Sequence, residues 1–210
     1  MAEGRIGTDE AGKGDYFGYL VVAGVYADAE IEKTLKHYGV KDSKMLSDRR
    51  VNEIAKLVRR TCQHDIVRIS PKKYNQLYDK LGNMNLILAW AHARAIENLL
   101  PKVKCDTVIS DQFGDRKFLE EKLMEEGRKV RLIQKFRAES DTAVAAASIL
   151  ARDYYLSSLK RLSQRYGIEL PKGSTHVMEA GRELVKKHGQ EVLDEIAKKH
   201  FKTTSTILRS

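Results

Sequence analysis

The sequence is poor in the residues that mark an exported or membrane-bound chain. Its two cysteines, Cys62 and Cys105, form no C-x-x-C pair, so they build neither a disulfide scaffold nor a zinc ribbon. A reducing compartment, the cytoplasm, is the expected setting. No stretch approaches the roughly 18 uninterrupted apolar residues of a membrane helix. Mean hydropathy is −0.47, and no membrane association is expected. The first ten residues, MAEGRIGTDE, hold no apolar segment of the kind a secretory signal requires. There are only three prolines, and no repeat, low-complexity tract or Pro/Gly/Ser linker divides the chain. A single domain spanning all 210 residues is therefore expected, with a core large enough to need no disulfide or structural metal.

Charge narrows the partners. There are 38 Lys and Arg against 29 Asp and Glu, a net charge of +9. Such a field attracts a polyanion, either nucleic acid or an acidic membrane surface. A solvated soluble surface accounts for the same number, so charge alone does not decide.

Periodicity orders the elements. Residues 4–9 and 20–26 (LVVAGVY) read as strands joined by a glycine-rich connection. Residues 29–38 and 47–60 have helical spacing, with Ser47 as N-cap and Val51, Ile54, Ala55 and Val58 as the apolar stripe. Residues 65–70 form a strand, and Pro71 opens a helix where its missing N–H costs nothing. Residues 85–100 are apolar around much of the circumference and predict a central helix. Short strands at 107–110 and 129–134 flank a helix over 116–126. From Ser140 the chain reads as helical, through an Ala-rich run and segments 182–187 and 190–199. Strands alternating with helices after an initial hairpin predict an α/β fold, a mixed sheet packed by helices, with a helical C-terminal part from about residue 170.

The segment G-T-D-E-A-G-K-G-D, residues 7–15, nearly spells a phosphate-binding P-loop. Gly14 stands where that loop needs Ser or Thr, and a strand follows where it needs a helix. The alternative places the chemistry on Asp9 and Glu10. Consecutive acids at a strand end offer charge to a divalent cation, but strand neighbours face opposite ways, so both reach one site only where the strand bulges or ends. Gly12 and Gly14 around Lys13 would let a nucleic-acid backbone approach the amides closely. Asp111 follows the apolar strand TVIS as Asp9 follows RIGT, so the two can converge at strand ends. Glu139 and Asp141 open the Ala-rich helix, whose small residues allow it to press on the sheet. An acid in a first turn is often only a cap, and Asp141 is read that way.

Several blocks together resemble ribonuclease HIII, a branch of the type 2 ribonucleases H. They are D-E-A-G-K-G-D-Y-F-G (9–18), K-D-S-K-x-L-S (41–47), L-A-W-A-H-A-R-A-I-E-N-L (88–99), S-D-Q-F (110–113) and A-E-S with A-A-A-S-I-L-A-R (138–152). They occur in the family's order and span almost the whole chain. The resemblance implies a ribonuclease H-like α/β fold and catalytic, metal-ligating acids at Asp9, Glu10, Asp111 and Glu139. It places the substrate-gripping loop on Gly12, Lys13 and Gly14. Glu139 agrees with this branch, since ribonuclease HII usually has Asp there. Two departures stand out: Tyr19 replaces a usual Pro, and no residues remain for the TBP-like N-terminal domain typical of these enzymes.

The implied activity is endonucleolytic cleavage of the RNA strand of RNA/DNA hybrids, leaving 5′-phosphate and 3′-hydroxyl ends. Four carboxylates in one pocket need cations, and an all-oxygen ligand set suits magnesium or manganese, as two ions. Lys13 and its neighbouring amides are candidates for reading 2′-hydroxyls, and Lys44 for a phosphate. No obligatory protein partner is indicated. The rival readings are a ribonuclease HII-like enzyme incising at single ribonucleotides in duplex DNA, and a non-catalytic nucleic-acid-binding module. The histidines, including His92 and His200, lack metal-ligand spacing and read as solvated or packing residues. Trp90 reads as core. Lys172-Gly173-Ser174 reads as a connecting turn, and the tract from Lys186-Lys187 to Lys198-Lys199 as a solvated helix face or a contact to DNA.

Overall fold

A computed structural model describes residues 4–40 and 43–209. Strands β1 (Gly4–Ala11) and β2 (Leu20–Ala27) are followed by α1 (Ala29–His37), α2 (Asp48–Thr61), β3 (His64–Ile69), α3 (Pro71–Leu81) and α4 (Met84–Leu99). Then come β4 (Cys105–Asp111), α5 (Arg116–Glu120), β5 (Arg131–Lys135), α6 (Thr142–Tyr166), α7 (Met178–His188), α8 (Val192–Ile196) and α9 (Lys202–Leu208). Local chemistry sets several boundaries. The side chains of Asp28, Ser47 and Ser70 accept the N–H groups of Ile31, Arg50 and Lys73, capping α1, α2 and α3.

The strands form one mixed five-stranded sheet in the order β3-β2-β1-β4-β5, with helices packed around it. This is the α/β architecture expected, including its C-terminal helices. β1 runs parallel to β4, and β4 parallel to β5. Thr8 pairs with Ser110, so the residues that follow them, Asp9 and Asp111, emerge side by side at the carboxyl ends of adjacent strands.

The described chain gathers into two compact units. The first comprises residues 4–11, 22–67 and 84–153 and holds most of the sheet. In it α6 begins directly on β1: a Cβ on Gly7 would lie 2.2 Å from the Val144 nitrogen and 2.3 Å from the Ala143 carbonyl carbon. Only glycine allows that approach, and the small residues at the start of α6 supply the other surface. The second unit comprises residues 12–21, 68–83 and 154–209. Tyr16 and Phe17 are fully buried there with ring centroids 4.7 Å apart, and the Tyr16 hydroxyl is 3.1 Å from Thr204 Oγ1.

Three expectations are corrected. The helix over 116–126 stops at Glu120. The Glu97 carboxylate accepts the N–H groups of Met124 (2.6 Å) and Gly127 (2.9 Å), drawing those donors away from a helical ladder. The helix over 190–199 is confined to Val192–Ile196. Beyond it the chain extends, and Ala197 bridges Phe17 in antiparallel fashion. Trp90 is not core, being 39% exposed on α4. The buried contacts of that helix are carried by Ile87, Leu88, Ala91, His92, Ala95, Ile96 and Leu99.

Candidate active site

Alternation along β1 sorts its polar residues onto two faces. Gly7 and Asp9 face α6, where Ser148 hydrogen-bonds the Asp9 carboxylate. Thr8 and Glu10 face α4, where both meet His92. The strand runs on to Ala11 without the early end that would have turned both acids one way. Asp9 and Glu10 thus start from opposite faces and interact chiefly through charge.

Asp9 is the electrostatic focus. Burial holds its carboxyl well above the usual range, and the charges of Glu10 and Asp111 push the same way. The Ser148 hydroxyl and the Glu10 N–H, 2.8 Å from Asp9 Oδ1, oppose them without prevailing. Ser148 is itself held: its Oγ lies 2.8 Å from Ser43 Oγ, and the Ser43 carbonyl accepts from Arg152, which also pairs with Asp48 at 2.8 Å. The 41–47 motif therefore reaches the site through buried Ser43. Lys41, Asp42 and the side chain of Lys44 lie outside the described residues.

Asp111 Oδ1 accepts the Ala138 N–H at 2.9 Å, which ties the end of β4 to the turn Ala138–Ser140. Glu139 lies in that turn, half-buried. It borders a groove of about 420 Å³ together with Lys36, Arg137, Ser140 and Thr142. Arg137, at φ 55, is the one non-glycine residue with positive φ among the described residues. Asp141 caps α6, accepting the N–H groups of Ala143 (2.9 Å) and Val144 (3.4 Å), and pairs with Arg5. It is the helix-start residue the sequence indicated, although the helix proper begins one residue later, at Thr142.

His92 is a site residue that spacing alone did not reveal. It is fully buried, with Nδ1 2.9 Å from Thr8 Oγ1 and Nε2 3.3 Å from Glu10 Oε2. An ionised Glu10 only accepts, so Nε2 is the donor of that pair. Phe113 stacks on the ring at 4.6 Å. The available signal was a histidine in the middle of an otherwise apolar helix, which needs a buried partner.

Gly12, Lys13 and Gly14 follow β1 in sequence and belong to the second unit. Gly12 has φ +87, and a Cβ on it would sit 2.1 Å from the Tyr19 carbonyl oxygen. Gly14 is exposed, with open space where a side chain would be.

Among the described residues no three His, Cys, Asp or Glu side chains form a ready-made cage for an ion. The donors nevertheless suit a hard cation. Asp9, Glu10 and Asp111 offer only oxygen, and their mutual repulsion is what a divalent ion would relieve.

Comparisons with known proteins give relatives in sequence and in fold. The family model "Ribonuclease HII" matches residues 6–204. The chain is 48% identical over 205 residues to a Ribonuclease HIII of Protochlamydia amoebophila, covering 97% of this chain and 68% of that protein. It is also 48% identical over 207 residues to a Ribonuclease HIII of Chlamydia pneumoniae, covering 97% and 70%. The crystal structure of Bst-RNase HIII in complex with Mn2+ superposes with a TM-score of 0.92 at 33% identity, over 99% of this chain and 70% of that one. Ribonuclease H2 from Pyrococcus horikoshii shares the fold, with a TM-score of 0.80 at 23% identity over 98% and 97%.

Proposed function

The chain belongs to the ribonuclease HII family, in its ribonuclease HIII branch, and from that membership we propose that it cuts the RNA strand of RNA/DNA hybrids internally, leaving 5′-phosphate and 3′-hydroxyl ends. The observation that carries this reading is the pairing of Thr8 with Ser110, which brings Asp9 and Asp111 out together at neighbouring parallel strand ends.

Asp9 is assigned as the central ligand for magnesium or manganese, with Glu10, Asp111 and Glu139 completing the set for two ions. When bound, such ions supply an activated water and charge neutralisation at the leaving 3′ oxygen. The chain's own part is orientation. Ser148 donates to Asp9, the Ala138 N–H holds Asp111, and His92 steadies Glu10 from below. Gly12, Lys13 and Gly14 are assigned to the hybrid, where backbone amides and a cation can meet phosphates and 2′-hydroxyls. Lys44 is assigned to a phosphate. Residues 1–210 are read as one catalytic domain, working in the cytoplasm without an obligatory protein partner.

The test is a cleavage gel at graded magnesium and manganese. It compares a continuous RNA/DNA hybrid with a duplex DNA carrying one ribonucleotide. The hybrid should be cut at many positions and the lone ribonucleotide much more slowly, with apparent affinity falling steeply as salt rises. Equal or faster incision at the single ribonucleotide would move the enzyme to the ribonuclease HII type of specificity. No cleavage in either metal would leave a binding module.

A further inference from the structure

The second unit contains a fully buried lysine that the proposed chemistry does not use. Lys198 has no exposed surface, and its Nζ lies 2.8 Å from the Gly18 carbonyl oxygen and 3.5 Å from that of Phe17. The backbone around it is paired with the same stretch. The Lys198 N–H donates to the Tyr16 carbonyl (2.8 Å), and the Gly18 N–H to the Ile196 carbonyl (2.8 Å). Gly18 sits at φ +86. Here the chain turns and directs its carbonyl inward, away from water.

The other end of the segment is also anchored. The Gly173 N–H donates to Asp15 Oδ1 at 2.6 Å, and the Tyr16 N–H donates to the Gly173 carbonyl at 2.8 Å. Gly12 lies against the Tyr19 carbonyl, so the loop closes on itself at its neck. The stretch carrying Gly12, Lys13 and Gly14 is thus tied at Gly12, at Asp15, and at Phe17 with Gly18. The last tie is the unusual one, because it uses a buried ammonium where a methionine of similar length would fill the space without a charge to desolvate. Burial draws the amine down to about 7, against the pull of Asp15, and the Lys198 charge helps burial lower the pKa of His200.

We infer that Lys198 is a positioning residue for substrate binding: by holding the carbonyls of Phe17 and Gly18 it keeps the Gly12-Lys13-Gly14 loop preformed for the RNA/DNA hybrid. This rests on the reading of that loop as the hybrid-gripping element. Preforming a loop removes its ordering cost from the binding step, so the effect belongs in KM. A purely structural role would instead lower the fraction of active enzyme and leave KM alone.

Steady-state cleavage of a continuous hybrid by the Lys198→Met and Lys13→Ala enzymes separates the possibilities. Lys198→Met should raise KM roughly five- to tenfold while kcat stays within about twofold. A raised KM in Lys13→Ala with an unchanged KM in Lys198→Met overturns the role of Lys198 alone. An unchanged KM in Lys13→Ala overturns the loop reading, and the role of Lys198 falls with it. Should Lys198→Met not fold, hydrogen exchange on the wild-type enzyme decides. The amides of Tyr16 and Gly18 should already exchange slowly in the free protein and gain no protection from added hybrid. Marked slowing on binding would show that the loop is ordered by substrate, and would overturn the inference.

Discussion

Glu10 Oε2 lies 3.3 Å from Nε2 of His92, and the other nitrogen of that ring is 2.9 Å from the Thr8 hydroxyl. Thr8 and Glu10 are two residues apart on one face of β1, so a single imidazole from α4 spans both. Phe113 covers the ring, and Ser110 Oγ stands 3.5 Å from Nδ1. The histidine cannot rotate or escape to solvent, and Glu10 is held by a donor whose direction is set by the core.

Replacing His92 should therefore weaken catalysis without unfolding the protein. His92→Gln, which keeps a donor, should lose less activity than His92→Leu, for which a loss of roughly ten- to a hundredfold is expected. Steady-state kinetics at saturating metal reads this. Full activity in His92→Leu would show that Glu10 needs no such support.

Asp9→Asn should abolish cleavage while leaving the melting temperature unchanged or raised. The substitution keeps side-chain volume and removes a charge that burial, Glu10 and Asp111 all disfavour. Appreciable turnover by a correctly folded variant would remove Asp9 from the centre.

Glu139 and Asp141 should separate cleanly. Asp141→Ala loses a helix cap and a partly buried pair with Arg5, and should cost about 1–2 kcal/mol of stability. Its activity per folded molecule should persist. Glu139→Gln should behave the opposite way, with near-normal stability and a large loss of rate. Chemical denaturation and cleavage measured side by side decide the order, and the reverse pattern would place Asp141 in the centre instead.

Gly7→Ala tests the contact that brings α6 to the sheet. A methyl there would overlap the backbone of Ala143 and Val144, which cannot move as a flexible side chain would. Destabilisation of about 3 kcal/mol is expected. A variant as stable as wild type would mean that α6 sits farther from β1.

The acid limb of stability should depend on Glu32. Hydrogen bonds from Lys36, then Arg5, hold its carboxyl down to about 2. A carboxyl depressed in the folded state contributes stability above its unfolded pKa, about 4.5, and loses it as pH falls toward 2. Melting temperature measured from pH 5 to pH 2 should fall less steeply in Glu32→Gln than in wild type. Parallel curves would show that the pairing contributes nothing in solution.

Local chemistry determined much of this protein. Ser47, Ser70 and Pro71 start helices where their side chains dictate, and β-branched runs such as residues 20–26 became strands because nothing else suits them. The apolar runs RIGT and TVIS put Asp9 and Asp111 at the ends of strands. What tertiary structure alone decided are pairings between residues remote in sequence. His92 became a bridge because α4 packs on the Thr8 and Glu10 face of β1. Ser43 and Ser148, 105 positions apart, met beside Asp9. Glu97 cut short a helix that its own sequence favoured. Lys198 was drawn into the interior by the carbonyls of Phe17 and Gly18. None of these leaves a periodic trace, because a buried polar group is specified by the partner the fold delivers to it and not by its neighbours along the chain.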